Sequence, residues 1–457
     1  MVFSGPAPLR PTALLLMLGL SGCAGLQTAT DHRADLNDQL EAVPAWQTEQ
    51  AAYATAVTQL DALLDEAALR PLISRALANN PSLAQTRLSM EILQAQERQI
   101  RAGGRPTVSA GYGASRSEGE DTFYTGSVDI SWEPDVWSAV RNQTLAARAS
   151  TASQRALYDA ARATLAADVI KAWLNLIDQQ RTIDLETRRL ELLNDTHEFI
   201  QARYRAGTAT LEDLLTARTN VASTRATISA AEASYRSLQN ALKVLLGETD
   251  GEIPELPEDY PQVLTPLAGL PAQTLARRPD LVAAWEDVRA ADLSVQVAYR
   301  DMLPSLSLSA ALQDIAESPE KALLNDPVWS LLGQLTAPLY QGGQLQAAAD
   351  SAELTAAQAV AAYRETLVTA VSEVDDALTL ETAYGEQIRE LTQALDDANT
   401  NLQRYRDNYR HGLTDLLDLL TIQEQTFDLQ SQLNAVLLNR LSNRIDLALA
   451  LGLGVQE

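Results

Sequence analysis

Residues 388–412 read IRELTQALDDANTNLQRYRDNYRHG, and the spacing of their apolar side chains indicates the architecture of the chain. Those side chains recur at alternating steps of three and four residues: Ile388, Leu391, Leu395, Ala398, Leu402, Tyr405 and Tyr409. A mean period near 3.5 residues is typical of helices that wind around each other as coiled coils. The pattern stops at Gly412, a residue that can adopt the left-handed conformation that closes a helix.

The helix that contains this segment is unusually long. The sequence holds no proline over residues 343–409, and at about 1.5 Å per residue a helix of that length extends for roughly 100 Å. After the turn, Thr414 and Asp415 are both candidate N-caps for a return helix over residues 414–451. A compact globular domain does not require such a rod.

The same design occurs earlier in the chain. The segment LANNPSL at 77–83 matches LARRPDL at 275–281, at an offset of 198 residues. The turn YRAG at 204–207 matches YRHG at 409–412, at an offset of 205 residues. One unit is therefore written twice, and a repeat of this kind predicts two structurally equivalent halves.

The duplication sets the predicted domain boundaries. Repeat 1 covers 63–247 and repeat 2 covers 271–452, joined by a proline-rich linker at 248–270 and followed by a tail at 453–457. Each repeat is predicted to open with a helix, and in repeat 1 the helical pattern begins at Leu63. A hairpin, a long helix and a return helix follow: 107–133, 138–204 and 210–246 in the first repeat, and 305–338, 343–409 and 414–451 in the second.

Both predicted hairpins alternate small or apolar residues with polar ones, which is the period of a β-strand. In 124–132, for example, Tyr124, Val128 and Ile130 fall on one face, while Ser127 and Asp129 fall on the other. Strands of about ten residues with this alternation are long enough to cross an outer membrane. A small half-buried sheet in a soluble domain would show the same pattern.

Four strands per chain cannot close a barrel, and an open sheet edge is not tolerated in lipid. We therefore expect the barrel to be shared between copies of the chain. Two copies would supply eight strands and three would supply twelve, and a lumen wide enough for cargo favours a homotrimer. The predicted fold class is mixed and mainly α, with four transmembrane strands per chain in a trimeric twelve-stranded barrel above a long α-helical coiled-coil barrel.

The N-terminus carries a targeting signal. Residues 1–22 combine Arg10 with the apolar run 13–20, and LSGC at 20–23 resembles a bacterial lipobox. Cys23, the only cysteine in the chain, is the predicted lipidation site, and residues 23–62 form a lipid-anchored segment. Ala24 favours the outer membrane, because lipoproteins kept in the inner membrane usually carry aspartate there.

Composition excludes several classes of function. The formal charge of −25 disfavours nucleic acid as a partner, because an acidic surface repels phosphates. The three histidines, at 32, 197 and 411, do not have the spacing of metal ligands. No nucleotide-binding or nucleophile motif is present in the sequence. We therefore expect neither an enzyme nor a bound cofactor, apart from the lipid on Cys23.

The chain resembles the TolC-like outer-membrane efflux family, and its lipoprotein branch in particular. The resemblance is carried by LARRPDL at 275–281, by PSLSL at 304–308 and by the two Tyr-Arg-x-Gly turns, and it extends over most of the chain. It implies a trimeric exit duct of a tripartite pump, anchored in the outer membrane and extending into the periplasm. The implied partners are a periplasmic adaptor and an inner-membrane transporter.

The two turns are predicted to form the periplasmic tip. There the sequence places Asp213 in repeat 1 and Asp415 and Asp418 in repeat 2, so that three chains would form an acidic ring that favours cations. The resemblance puts a gate aspartate at Asp418, whereas Thr421 stands where the family has a second one. Acidic residues in a first helical turn can instead simply stabilise the helix dipole.

Other tip residues have predicted roles as well. Arg205, Arg410 and Tyr409 could hold a closed tip by ion pairs, or could cap helix ends. Gly207 and Gly412 are predicted to be turn residues, and the resemblance places both turns in contact with the adaptor.

A second hypothesis is a periplasmic coiled-coil lipoprotein that acts as a scaffold without a channel. It accounts for the lipid anchor and the rods. It does not account for four alternating segments that carry Trp132 and Trp329 near their ends, where tryptophan marks a membrane interface.

Overall fold

The structure is a computed structural model that describes residues 32–46, 54–57, 59–64, 67–119 and 121–455. The signal sequence and Cys23 lie outside the described residues. The helices, in chain order, are α1 Arg33–Glu41, α2 Leu69–Asn79, α3 Pro81–Ala102, α4 Ala139–Arg205, α5 Leu211–Leu246, α6 Pro271–Leu275, α7 Pro279–Arg300, α8 Gln344–Arg410 and α9 Leu416–Ala450. A short 3₁₀ helix spans Leu60–Ala62, and the strands are β1 Thr107–Ser115, β2 Phe123–Trp132, β3 Ser305–Ala316 and β4 Val328–Thr336.

These bounds agree with the elements expected from the sequence to within about two residues. The long helices α4 and α8 each contain 67 residues and begin one residue later than expected. The helical pattern expected from Leu63 onward is wrong at its start, because the first helix of repeat 1 begins at Leu69. Leu63 instead follows the 3₁₀ turn and is fully buried.

The described part of the chain divides into two compact units: the described residues within 1–37, 91–153 and 284–363, and those within 38–90, 154–283 and 364–457. The first unit contains all four strands, in a single antiparallel sheet with the order β1-β2-β3-β4. The second unit contains most of the length of the long helices, together with the linker.

The register of the sheet places the apolar side chains on one face. Residues directly opposite each other in an antiparallel sheet lie on the same face. The apolar rows are Val108↔Ile130↔Ala310↔Leu331 and Ala110↔Val128↔Leu312↔Trp329. The intervening rows are mostly polar, as in Ser305↔Thr336 and in Thr107↔Ser131↔Ser309↔Leu332, where only the β4 residue is apolar. The alternation expected from the sequence therefore continues across the four strands, with Leu332 of β4 as an exception.

Backbone hydrogen bonds to side chains fix the end of the sheet next to α4. The indole of Trp132 donates to the Gly104 carbonyl at 3.1 Å, and the indole of Trp137 donates to the Pro304 carbonyl at 2.6 Å. The Asp135 carboxylate accepts from two amides in the first turn of α4, at 2.8 and 3.0 Å. This cap starts the 67-residue helix directly behind the strands.

The second unit is held by an apolar core in which long and short helices meet. Trp173 and Ile177 of α4 pack there with Leu246 of α5 and Ile445 of α9, all less than 2 % exposed. Burial of such side chains contributes about 1.5–3 kcal/mol each relative to exposure.

The two repeats end their return helices in the same way. The side-chain amide of Asn80 donates to the Leu245 carbonyl at 2.9 Å, and the guanidinium of the equivalent Arg278 donates to the Ala450 carbonyl at 3.1 Å. The polar residue before the proline in each repeat therefore satisfies a carbonyl in the last turn of a return helix. This shared role explains why the motif occurs twice in the sequence.

Candidate functional site

The two helical turns have the same backbone geometry. Gly207 and Gly412 have φ values of 73° and 71°, in the left-handed region. The Thr208 amide donates to the Arg203 carbonyl at 2.9 Å, and the Leu413 amide donates to the Asn408 carbonyl at 2.8 Å. This six-to-one bond after a left-handed residue is the Schellman arrangement, so each glycine closes its long helix as the sequence predicts.

Asp213 caps the return helix of repeat 1. Its carboxylate accepts from the Thr210 amide at 2.9 Å and from the Thr210 hydroxyl at 2.7 Å, while its own amide donates back to that hydroxyl at 3.1 Å. The backbone hydrogen bond from Thr210 is the main reason why the pKa of Asp213 is lowered. The carboxylate therefore stays charged and is committed to a capping box.

In repeat 2 the cap of the return helix uses a different aspartate. Asp415 is the N-cap, since its carboxylate accepts from the Asp418 amide at 2.9 Å. The Asp418 carboxylate accepts only a hydroxyl hydrogen bond from Thr414, at 2.9 Å, among the contacts described for it. Both aspartates are exposed, so Asp418 places a charge at the turn that the helix cap does not use.

Tyr409 forms the core of the tip. Its ring is 6 % exposed and packs edge-to-face on Phe199, with ring centroids 5.7 Å apart and an interplanar angle of 67°. The Arg203 guanidinium lies 5.7 Å from the Tyr409 centroid and 5.9 Å from the Phe199 centroid. Burial is the largest cause of the raised pKa of Tyr409, to which Asp213 and Asp415 also contribute.

The structure thus brings Tyr409 close to Asp213 and Asp415 but leaves the predicted arginines outside this cluster. Arg410 pairs with Asp407 at 3.9 Å, and both side chains are at least 70 % exposed. Arg205 is exposed as well. Ion pairs from these two arginines across a closed tip therefore stay a prediction, as does the gate role of Asp418.

Arg203 and Phe199, which both pack on Tyr409, are not among the residues predicted from the sequence. Arg203 also donates to the Thr208 carbonyl at 3.1 Å and so supports the turn itself. A signal was available, because Phe199 is one of only four phenylalanines in the chain and lies within two helical turns of Gly207.

Groups that could hold a metal ion, made of three or more histidine, cysteine or acidic side chains, do not occur among the described residues. His32 instead contacts the Asp292 carboxylate through Nδ1 at 2.8 Å. In the described part of the chain, none of the helices combines the length and the apolar character needed to cross a membrane.

Comparison with known proteins gives a consistent assignment. The profile of the family described as "Outer membrane efflux protein" matches residues 72–248 and 270–453. The chain is 30 % identical to the outer membrane protein OprJ of Pseudomonas aeruginosa over 439 residues, which cover 91 % of this chain and 90 % of OprJ. It is 27 % identical to the cation efflux system protein CusC of Escherichia coli over 401 residues, which cover 85 % of this chain and 86 % of CusC.

The fold agrees with a solved relative. The outer membrane protein VceC of Vibrio cholerae superposes with a TM-score of 0.76 at 26 % identity, covering 85 % of this chain and 97 % of VceC. The architecture and the turns therefore define an outer membrane efflux channel. The chain belongs to the outer membrane efflux protein family.

Proposed function

We propose that three copies of this chain close a twelve-stranded barrel in the outer membrane and continue below it as a helical tunnel through the periplasm. The observation that carries this proposal is the four-stranded sheet, in which β1 and β4 each pair with one strand only among the described residues. Such edges would leave backbone groups unpaired in lipid, at a cost of several kcal/mol per group. Pairing β4 of one copy with β1 of the next removes every edge.

The exposed side chains of the edge strand suit a lipid environment. Trp329, Leu331 and Leu335 of β4 are 74 %, 73 % and 66 % exposed and lie on the apolar face of the sheet. Soluble monomers rarely leave a contiguous row of large apolar side chains exposed to water. Twelve strands give a lumen that admits cargo, whereas an eight-stranded barrel is filled by its own side chains.

The proposed role in the pump is passive conduction. An adaptor in the periplasm would connect the tip to an inner-membrane transporter, which would supply the energy and choose the cargo. This chain would then conduct without catalysing a reaction and without a cofactor. The lipid on Cys23 would anchor the N-terminal segment to the outer membrane.

Reconstitution tests this proposal. Detergent-extracted full-length protein is expected to migrate as a heat-modifiable oligomer, to have the mass of three chains by light scattering, and to give discrete current steps in a planar bilayer. A monomer without conductance would overturn the proposal and favour the scaffold hypothesis.

A further inference from the structure

Two pairs of equivalent leucines differ sharply in burial, although the helices that carry them are repeats. Leu416 and Leu420 of α9 are 6 % and 7 % exposed. Their equivalents in repeat 1, at the offset of 205 residues, are Leu211 and Leu215 of α5, which are 54 % and 51 % exposed. The residue type and the position in the repeat are the same, so the difference arises from what lies on top of each helix.

Part of the cover over α9 comes from the other repeat. Leu416 and Leu420 belong to one buried cluster with Leu193 and Ile200 of α4, which are 7 % and 0 % exposed, and the cluster also contains Leu402 and Tyr409 of α8. The helix equivalent to α4 is α8, which has the same length of 67 residues. Within one chain, α9 is therefore covered by a helix of the first repeat, while the matching face of α5 is open.

In a ring of chains the repeats alternate, so that repeat 2 of one copy is followed by repeat 1 of the next. Helix α8 of one copy then lies beside α5 of its neighbour, in the same arrangement in which α4 lies beside α9 within a chain. A head-to-tail interface of this kind closes when the same contact is made around the ring. The equivalents of Leu193 and Ile200 on α8 are Ala398 and Tyr405, and both are only half-buried in the single chain.

We infer that Leu211 and Leu215 of one copy pack against Ala398 and Tyr405 of α8 in the next copy, which buries the open face of α5. This inference rests on the proposed ring of three chains and adds to it the residues of the contact near the tip. The partner that covers the open face of α5 is a second copy of this chain, because the equivalent face of α9 is covered by α4, and the equivalent of α4 is α8.

The same offset predicts a different chemistry at the turn. Tyr409 is 6 % exposed against Phe199, whereas its equivalent Tyr204 is 40 % exposed. The equivalent of Phe199 is Arg404, so the joint between copies pairs a guanidinium with the Tyr204 ring. An exposed cation–π contact contributes less than the burial of an aromatic pair. At the turn, the contact between chains is therefore expected to be weaker than the contact within a chain.

Paired cysteines test the contact in the full-length chain. Leu215→Cys with Ala398→Cys is expected to form disulfides between chains under mild oxidation, which moves most of the protein to dimer and trimer bands on a non-reducing gel. The matched control is the equivalent pair within one chain, Leu193→Cys with Leu420→Cys, which is expected to stay at the position of the monomer. Either single-cysteine variant controls for Cys23, the only natural cysteine.

A second pair uses exposed positions that the fold tolerates. Tyr204→Cys with Arg404→Cys is expected to cross-link between chains as the first pair does. The mass of the oligomer and its bilayer conductance are measured on the same samples. Protein with the mass of three chains and normal conductance, but without interchain cross-links from either pair, would overturn this contact and leave the proposed function intact. A monomer without conductance would overturn both.

Discussion

The Glu381 carboxylate is clamped by the Arg444 guanidinium, whose Nη2 donates to Oε1 at 2.7 Å while Nε donates to both carboxylate oxygens at 3.1 and 3.2 Å. The Glu381 side chain is 4 % exposed, and Arg440 donates to the same carboxylate at 3.1 Å. The equivalent positions in repeat 1 hold Leu176, Tyr235 and Gln239. A buried ionic cluster in repeat 2 thus occupies the place of a largely apolar contact in repeat 1.

Glu381→Gln is expected to lower the free energy of unfolding by about 3 kcal/mol at neutral pH, because it removes the buried carboxylate charge with which two half-buried guanidinium groups pair. Thermal unfolding in detergent, followed by circular dichroism, measures the loss. Glu390→Gln is the control: Glu390 is 73 % exposed and pairs with an exposed Arg389, so its loss should not change the melting temperature.

The same cluster predicts a pH dependence. Burial, the largest influence, raises the pKa of Glu381, but the two arginines outweigh it and the pKa is lowered from its ordinary value of 4.5. The stabilisation is therefore complete above that value and is lost as the pH falls through the folded pKa. The difference in stability between wild type and Glu381→Gln should shrink below pH 4.5. A difference that stays constant as the pH falls below 4.5, down to the acid limit of folding, would contradict the ion cluster as its source.

The glycines that end the return helices predict a graded series. A Cβ at Gly247 would lie 2.4 Å from the Asn79 carbonyl oxygen, whereas one at Gly452 would lie 3.1 Å from the backbone of Arg277 and Arg278. Both glycines have positive φ, at 69° and 72°. Gly247→Ala should therefore lower the melting temperature more than Gly452→Ala does.

Gly412→Ala separates the cost of the left-handed backbone from the cost of a close contact between the added Cβ and neighbouring backbone. Its φ is 71°, but a Cβ there would meet nothing within 4 Å, so only the left-handed backbone contributes, at about 1–2 kcal/mol. It should have the smallest effect of the three substitutions. Equal losses for all three would show that the close backbone contact at Gly247 carries no cost.

Much of the fold could be predicted because each element has a strong local signal. The steps of three and four residues over 388–409 and the alternation over 124–132 depend only on neighbours in sequence, and the structure places the first segment in α8 and the second in β2. The clamp on Glu381 could not be predicted, because its arginines are 59 and 63 residues away and the offset comparison shows no repeated charge there.

The candidate site was only partly predictable for the same reason. The turns at Gly207 and Gly412 follow from a four-residue motif, and the structure confirms their conformation. The capping role of Asp213 follows from Thr210 three residues before it. The contact between Phe199 and Tyr409 joins two helices about 200 residues apart, and periodicity within either helix does not reveal its partner.

Tyr409→Ala is expected to loosen the tip and to raise the single-channel conductance or the fraction of time spent open. The substitution removes a buried ring that contacts Phe199 and Arg203 and leaves a cavity, which typically costs about 3–5 kcal/mol. Tyr409→Phe keeps the ring contacts and should conduct like wild type. If both variants behave alike, the aromatic contact does not hold the tip.

Cys23 is expected to be the first residue of the mature protein and to carry lipid. Mass spectrometry of the N-terminal peptide from membrane-extracted protein should show the added mass of acyl chains on Cys23. Cys23→Ala should remain at the precursor mass. A high-pH wash should release this variant from the membrane only if the barrel has not inserted. An unmodified N-terminal peptide that begins before residue 23 would contradict lipidation.

Asp418→Ala is expected to reduce the preference of the channel for cations. Asp418 is exposed, and its described contact is with the Thr414 hydroxyl, so its charge is available to ions passing the turn. Three such charges around an axis favour cations over anions. Reversal potentials in a potassium chloride gradient measure the change, and Thr414→Val, which keeps the charge, is the matched control.

Because the Debye length falls to about 3 Å at 1 M salt, the difference between Asp418→Ala and wild type should fade as salt is raised. Identical selectivity and currents at low salt would remove Asp418 from the gate and leave it as a helix-end residue.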